Sequence, residues 1–296
     1  MSRIAYVNGR YVPHQSARVH VEDRGYQFSD GVYEVCEVSG GYILDRTRHL
    51  DRLDRSLSEL AIGWPVERAA LGRIMIEVAA RNRVSDGLVY LQVTRGVARR
   101  DHPFPSADTR PALVVTARST DRAAFAAKAE EGVGVITVPD TRWDRVDIKT
   151  IGLLPNVLAR QQARDAGAAE AWLVDEDGIV LEGAATNAWI VTGEGELVTR
   201  PAVSGILRGI TRATAIDTAA ALGLTMVERG FTVGEAKAAR EAFMTSATSQ
   251  VMPVVRIDGA PVANGYPGEI TRQLRGAFFA HAEKIAVRGS LALEKP

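Results

Sequence analysis

The stretch D-I-K-T-I-G-L-L-P-N-V-L-A-R-Q-Q-A-R-D-A-G-A-A-E-A-W-L-V-D-E-D-G-I-V-L-E-G-A-A-T-N, Asp147 to Asn187, decides how the chain is read. It carries one lysine, Lys149, flanked by Ile148, Ile151, Leu153 and Leu154. A helix pattern follows, then a short hairpin that ends on Glu182. The other lysines sit beside alanine or glutamate, as on helix surfaces or in a tail. An apolar setting strips the hydration of a charged lysine, which lowers its pKa and leaves a neutral amine able to attack a carbonyl. A surface lysine whose stem covers a hydrophobic patch has the same local sequence. The choice between these readings rests on the rest of the chain.

The 296 residues carry 36 basic and 36 acidic side chains, so charge gives no reason to expect a nucleic-acid partner. Hydrophobic residues make up 46% of the chain, enough for a packed core and too many for a disordered or fibrous protein. A single cysteine, Cys36, excludes an internal disulfide and a cysteine-based metal site. The opening Met1-Ser2-Arg3-Ile4 lacks the apolar run of a signal peptide, and no window reaches the length of a membrane span. The expectation is a globular cytoplasmic protein without a membrane partner.

Working outward, Ile4–Val7 and Arg10–Val12 around Asn8-Gly9 predict a tight hairpin. Period two over Val32–Val38 puts Val32, Glu34, Cys36 and Val38 on one face of a strand and Tyr33, Val35 and Glu37 on the other. Leu50, Leu53, Leu57 and Leu60 predict an amphipathic helix over residues 46–61, and Pro65 is expected to open a second helix. Strands follow at Leu88–Thr94 and Ala112–Ala117, around a polar loop from Arg95 to Phe104. The polar residues Ser119–Arg122 are the expected linker between a domain of residues 1–118 and one of residues 123–296. In the second, strands are expected at Val133–Val138, Ala188–Val191, Thr225–Arg229, Ala242–Thr245 and Val251–Ile257. Helices are expected at Leu207–Leu222, Val233–Arg240 and Pro267–Val287, with a loose tail after Gly289. This mixed order indicates an α+β class.

Five groups of residues are candidate site elements. Gly205–Arg212 leads into a helix whose start suits a phosphate, although an ordinary helix cap reads the same way. Met244–Ser249 is a strand end with four small hydroxyl residues, equally a plain polar loop. Arg52 is a cation for such a site or a solvated helix residue. Arg100 and His102, two apart on an extended loop, make a carboxylate grip or a charged surface. Glu182 is a buried carboxylate that needs a positive partner, or a solvated turn residue.

Taken in order, E-D-R-G-Y-Q-F-S-D-G-V-Y-E-V at Glu22–Val35, H-L-D-R-L at His49–Leu53, V-T-R-G at Val93–Gly96, R-D-H at Arg100–His102, D-I-K at Asp147–Lys149, E-G-A-A-T-N at Glu182–Asn187, G-I-T-R at Gly209–Arg212 and T-S-A-T-S at Thr245–Ser249 resemble the class IV (fold-type IV) pyridoxal-phosphate aminotransferases. The likeness is strongest to their D-amino-acid branch and runs over nearly the whole chain. It implies a two-domain α+β fold with the cofactor between the domains and Lys149 in the larger C-terminal one. It implies Lys149 as the Schiff-base lysine and proton shuttle, and Glu182 as the partner of the pyridinium nitrogen. Arg52, the Ile210 and Thr211 amides, Ser246 and Ala247 would hold the phosphate, and Leu207 would pack on the ring. Tyr33, Arg100 and His102 would trap the substrate α-carboxylate, the last two donated by a neighbouring subunit of a homodimer. Ala184-Ala185-Thr186, a run often richer in serine, and Ala247 depart from the resemblance, the three alanines lacking hydroxyls near the cofactor. The implied activity is ping-pong transamination of D-alanine or D-glutamate with 2-oxoglutarate or pyruvate. Branched-chain L-aminotransferase, (R)-amine aminotransferase, aminodeoxychorismate lyase and a non-catalytic pyridoxal-phosphate-binding regulator are the alternatives.

Overall fold

The structure is a computed structural model that describes residues 3–203 and 205–287. The tail expected after Gly289 lies outside the described residues. In chain order the elements are β1 (Ile4–Val7), β2 (Arg10–Pro13), α1 (Arg24–Phe28), β3 (Gly31–Ser39), β4 (Tyr42–Leu44), α2 (Arg46–Glu59), α3 (Arg68–Arg81), β5 (Gly87–Thr94) and β6 (Ala112–Ser119). Then come α4 (Arg122–Glu131), β7 (Val133–Pro139), α5 (Leu154–Asp165), β8 (Glu170–Val174), β9 (Val180–Gly183), β10 (Asn187–Val191), β11 (Leu197–Thr199), α6 (Ile210–Ala221) and β12 (Met226–Glu228). The last are α7 (Val233–Ala238), β13 (Glu241–Ser246), β14 (Gln250–Ile257), β15 (Ala260–Pro261), α8 (Glu269–His281) and β16 (Lys284–Ala286).

The chain divides into two compact units, of α+β type. Among the described residues, the first holds those up to Arg122, the short segment Ile148–Gly152 and residues 283–287; the second holds Ala123–Asp147 and Leu153–Ala282. Lys149 therefore belongs to the first unit, not to the C-terminal domain expected from the sequence. The cause is a backbone pairing that no local pattern reveals: Tyr33 N donates to the Lys149 carbonyl at 3.0 Å, and Ile151 N donates to that of Gly31 at 3.1 Å. Ile148 packs into the first unit's core.

In the first unit, among the described residues, an antiparallel sheet runs β16-β4-β3-β5-β6-β1-β2. Asn8 and Gly9 both have positive φ, as a tight two-residue hairpin between β1 and β2 requires. The alternation in β3 is as expected: Val32, Glu34, Cys36 and Val38 are buried, and Tyr33, Val35 and Glu37 are half-buried. Leu50, Leu53 and Leu57 of α2 and Leu71, Met75 and Val78 of α3 cover that face and form the core with β5. The second expected helix starts at Arg68, three residues after Pro65, with Glu67 in the N-cap position and no side-chain cap bond.

In the second unit a mixed sheet runs β12-β11-β10-β13-β14-β7-β8-β9, with β15 on β14. Trp172, Val180, Ile190, Phe231, Met244 and Val254 fill its core. Three expectations are corrected. Ser119 still belongs to β6, and Arg122 opens α4, an alanine-rich helix whose composition favours helix without marking a face. The last helix stops at His281, because Lys284, Ile285 and Ala286 pair with Leu44, Ile43 and Tyr42 as an edge strand. Helix α6 begins at Ile210 rather than Leu207, whose amide is held elsewhere.

Gly96 turns the chain out of β5 into the Arg95–Phe104 loop at φ +100°, and an added Cβ would lie 2.0 Å from the Arg110 carbonyl oxygen. Gly96→Ala is therefore expected to lower unfolding free energy by about 1–3 kcal/mol in urea titrations. An unchanged midpoint would contradict this reading of the turn.

Candidate active site

The first unit contributes a lysine, a cation and an aromatic face built around one strand. The Lys149 amide lies 3.4 Å from Ser56 Oγ on α2. Its Nζ sits 4.2 Å from the centroid of the Tyr33 ring, whose π face attracts an ammonium. Tyr33 stacks on Tyr90 across the β3–β5 ladder at 5.7 Å. Burial, and then the neighbouring Tyr33, pushes the Tyr90 phenol up to about 12, so it stays protonated and donates to Gln92 Oε1 at 2.7 Å.

Arg52, one turn before Ser56 on α2, is not the solvated helix residue that its H-L-D-R-L context also allowed. Its guanidinium grips Glu34 with Nε to Oε1 and Nη2 to Oε2, both 2.7 Å. His49 Nδ1 is 2.7 Å from Glu34 Oε2. An ionised carboxylate only accepts, so the imidazole donates from Nδ1. Burial by itself would raise the Glu34 pKa, but the charge and hydrogen bonds of Arg52, with the His49 bond, hold it at about 2. The same ion pair outweighs the burial of Arg52 and raises its pKa, so it remains a cation. For His49, burial dominates and lowers the pKa.

The second unit holds a buried carboxylate of its own. Glu182, on β9, is buried. Arg142 Nη1 donates to its Oε1 at 2.5 Å, Asn187 Nδ2 to its Oε2 at 3.0 Å, and the Leu207 amide to both oxygens at 3.1 and 3.2 Å. Arg142 is oriented by Asp140, which takes bonds from Nε and Nη2 at 2.9 Å each. Burial disfavours the Arg142 cation, but Asp140 and Glu182 together raise its pKa. Asn187 also donates to the Leu207 carbonyl at 3.1 Å and pairs with Thr245 across β10 and β13. One amide side chain thus ties Glu182 to the segment entering α6, and its own strand, β10, pairs with the strand that ends on Ser246. Helix α6 follows Gly209 with no side-chain cap, so Ile210 and Thr211 lie at an uncapped positive helix end. Ser246 Oγ is bonded within its turn to Thr248 and Ser249 at 3.0 and 2.8 Å, and Ala247 is half-buried there.

Tyr33, Lys149 and Arg52 thus come together in the first unit, and Glu182, Leu207, Ile210, Thr211, Ser246 and Ala247 lie on connected elements of the second. Arg100 and His102 sit apart, exposed on the loop after β5. The sequence reading missed Glu34, His49, Asp140 and Arg142. The signal for the last two was D-T-R-W-D-R, charge directly after the apolar strand β7, and for Glu34 an acid on the buried face of β3. Within the first unit the Lys149 amine and the Arg52 cation, and within the second the Glu182 carboxylate, the α6 amides and the Ser246 hydroxyl, are each group types that a pyridoxal-phosphate group can use.

The family model for amino-transferase class IV matches residues 31–257. The chain belongs to the class IV aminotransferases. A D-alanine aminotransferase of Staphylococcus aureus (strain COL) is 36% identical over 282 residues, 95% of this chain and 99% of that one. A D-alanine aminotransferase of Bacillus licheniformis is 38% identical over 271 residues, 92% and 94% of the two chains. Among solved structures, a T.th. branched-chain amino acid aminotransferase with pyridoxamine 5'-phosphate aligns with TM-score 0.86 at 25% identity, covering 94% of this chain and 93% of that one. The Escherichia coli branched-chain enzyme aligns with TM-score 0.85 at 23% identity over 95% and 94% of the chains, a likeness of fold.

Glu34 offers a pH test. Its folded pKa, about 2, lies below its ordinary 4.5, so it stabilises the fold above pH 4.5 and loses that contribution as the pH falls toward 2. Glu34→Gln also leaves Arg52 without its buried counter-ion, at a cost of about 3–5 kcal/mol. Thermal unfolding between pH 7 and 2 is expected to show a lower, flatter acid limb for this variant. A limb parallel to the parent's would contradict the assignment.

Proposed function

We propose that the protein transfers the amino group of a D-amino acid to a 2-oxo acid by ping-pong transamination, with pyridoxal phosphate as cofactor. The carrying observation is the exposed Arg100–His102 arm, a guanidinium fork and an imidazole suited to a carboxylate, in a chain whose 36–38% identical relatives are named D-alanine aminotransferases. Alanine and glutamate are the proposed D-donors, and pyruvate and 2-oxoglutarate the acceptors.

When bound, the cofactor supplies an electron sink that stabilises negative charge at the substrate Cα. Lys149 would hold the cofactor and, as an amine, would move the proton at the substrate Cα. Glu182 would keep the ring nitrogen protonated, and Arg142 with Asn187 holds that carboxylate in place. Arg52, fixed by Glu34, would neutralise phosphate charge, and the Ile210 and Thr211 amides, Ser246 and the Ala247 amide would bind phosphate oxygens. Leu207 would pack on the ring. Tyr33, Arg100 and His102 bind the α-carboxylate, which sets the face of Cα offered to the lysine and so the stereochemistry. The arm serves the partner of a homodimer. Support for an apolar dimer contact is the exposed stripe Leu154, Val157 and Leu158 on α5. No helix among the described residues is long and apolar enough to cross a membrane. A cytoplasmic location belongs to the same proposal, on the sequence reading alone.

Branched-chain L-transamination is the second reading, favoured by the solved structures of similar fold. A spectral half-reaction panel decides between them. D-alanine is expected to convert the holoenzyme's cofactor band, and pyruvate to restore it, while L-valine and L-leucine leave it unchanged; the reverse pattern overturns the proposal. Arg100→Ala is expected to raise KM for D-alanine about tenfold or more with cofactor content unchanged. An unchanged KM removes Arg100 from the carboxylate trap.

A further inference from the structure

The motif E-D-R-G-Y-Q-F at Glu22–Phe28 holds a buried charge that the site has not used. Arg24 is only 3% exposed. Its Nε donates to Asp30 Oδ2 at 2.7 Å. The other two nitrogens reach across sequence to the arm: Nη1 to the Asp101 carbonyl at 2.6 Å and Nη2 to the His102 carbonyl at 3.3 Å. Asp30 is clamped in turn by Arg95, through Nε at 2.8 Å and Nη2 at 3.0 Å, and Arg95 ties back to the Leu60 and Ala61 carbonyls. Backbone bonds reinforce the junction: Arg24 N to the Gly96 carbonyl at 2.9 Å and Ala98 N to that of Glu22 at 3.2 Å.

The Phe28 ring completes the arrangement. The Arg24 guanidinium carbon is 4.8 Å from its centroid and that of Arg100 is 4.6 Å. The His102 ring lies 5.5 Å away. One aromatic ring thus touches a buried cation and both side chains of the arm.

We propose that Arg24 and Phe28 are positioning residues for substrate binding: Arg24 fixes the backbone of Asp101 and His102, and Phe28 fixes the planes of Arg100 and His102. This rests on the reading that Arg100 and His102 bind the substrate carboxylate. An exposed arginine on a loop samples many rotamers, and a planar fork grips a carboxylate well only when its orientation is set in advance. A lysine at position 24 keeps the charge for Asp30 but cannot fork to two carbonyls as well. Leucine at position 28 keeps apolar volume but removes the ring that the Arg100 guanidinium lies over and the His102 imidazole meets at a tilt.

The experiment measures steady-state constants for D-alanine with the holoenzyme of Arg24→Lys, Phe28→Leu and Arg100→Ala, and of each of the first two combined with the third. Pyridoxal-phosphate affinity and Tm are measured alongside. Arg24→Lys and Phe28→Leu are each expected to raise KM about fivefold, with kcat within about twofold and cofactor affinity unchanged. Their effect is expected to shrink on the Arg100→Ala background, since they act through that residue together with His102. Should Arg24→Lys fail to fold, Phe28→Leu carries the test alone. A raised KM for Arg100→Ala with unchanged KM for the folded platform variants overturns this inference alone. So does an undiminished effect on the Arg100→Ala background, or a fall in cofactor affinity, each of which marks a merely structural role. An unchanged KM for Arg100→Ala overturns the carboxylate-trap reading, and this inference falls with it.

Discussion

A carboxylate taken out of water must be met by donors, and the two units of this chain are each built around one that is. In the first unit Glu34 takes three short bonds from Arg52 and His49. In the second, Glu182 takes bonds from Arg142, Asn187 and the Leu207 amide. Removing any of these donors exposes the carboxylate to its desolvation cost, so each donor is fixed where the acid is. The residues bonded to these acids inherit that rigidity. Arg52 cannot swing into solvent while Glu34 holds it, and the segment entering α6 cannot drift while its amide answers Glu182.

The loop of Arg100 and His102 has a different basis. It meets the body through an isolated bridge between Val97 and Asp23, the buried Arg24 holds its Asp101 and His102 carbonyls, and the Phe28 ring faces the Arg100 and His102 side chains. Loops that carry function need a rigid scaffold beneath them. Here the scaffold is the Arg24–Asp30–Arg95 cluster, two cations sharing one carboxylate at the end of β5. The turn at Gly96 sets the direction in which the loop leaves that cluster.

Periodicity made much of this visible before any coordinates. The alternation in β3 and the leucine spacing in α2 told which faces would be buried, and both faces are. What stayed hidden depends on contacts distant in sequence. Lys149 joins the first unit through a bridge between Val32 and Thr150, and a window around Lys149 contains no trace of β3. The role of Arg142 depends on Glu182, forty residues later. Edge strand β16 looked like the end of a helix because Lys284–Ala286 carries no strand signature; its strand character comes from β4. Helix α4 was missed for the opposite reason, since alanine gives helix propensity without a face to read. The cation at Arg52 was legible as part of a motif, whereas the acid that fixes it was legible only as a buried position.

The central claim is that Lys149 is the residue that carries the cofactor. Borohydride reduction of the purified holoenzyme, followed by proteolysis and mass spectrometry, tests it most directly. The account predicts one stable phosphopyridoxyl label, on the peptide containing Lys149, with loss of the cofactor's visible absorbance. A label on any other lysine, or complete bleaching with no label at Lys149, would contradict it.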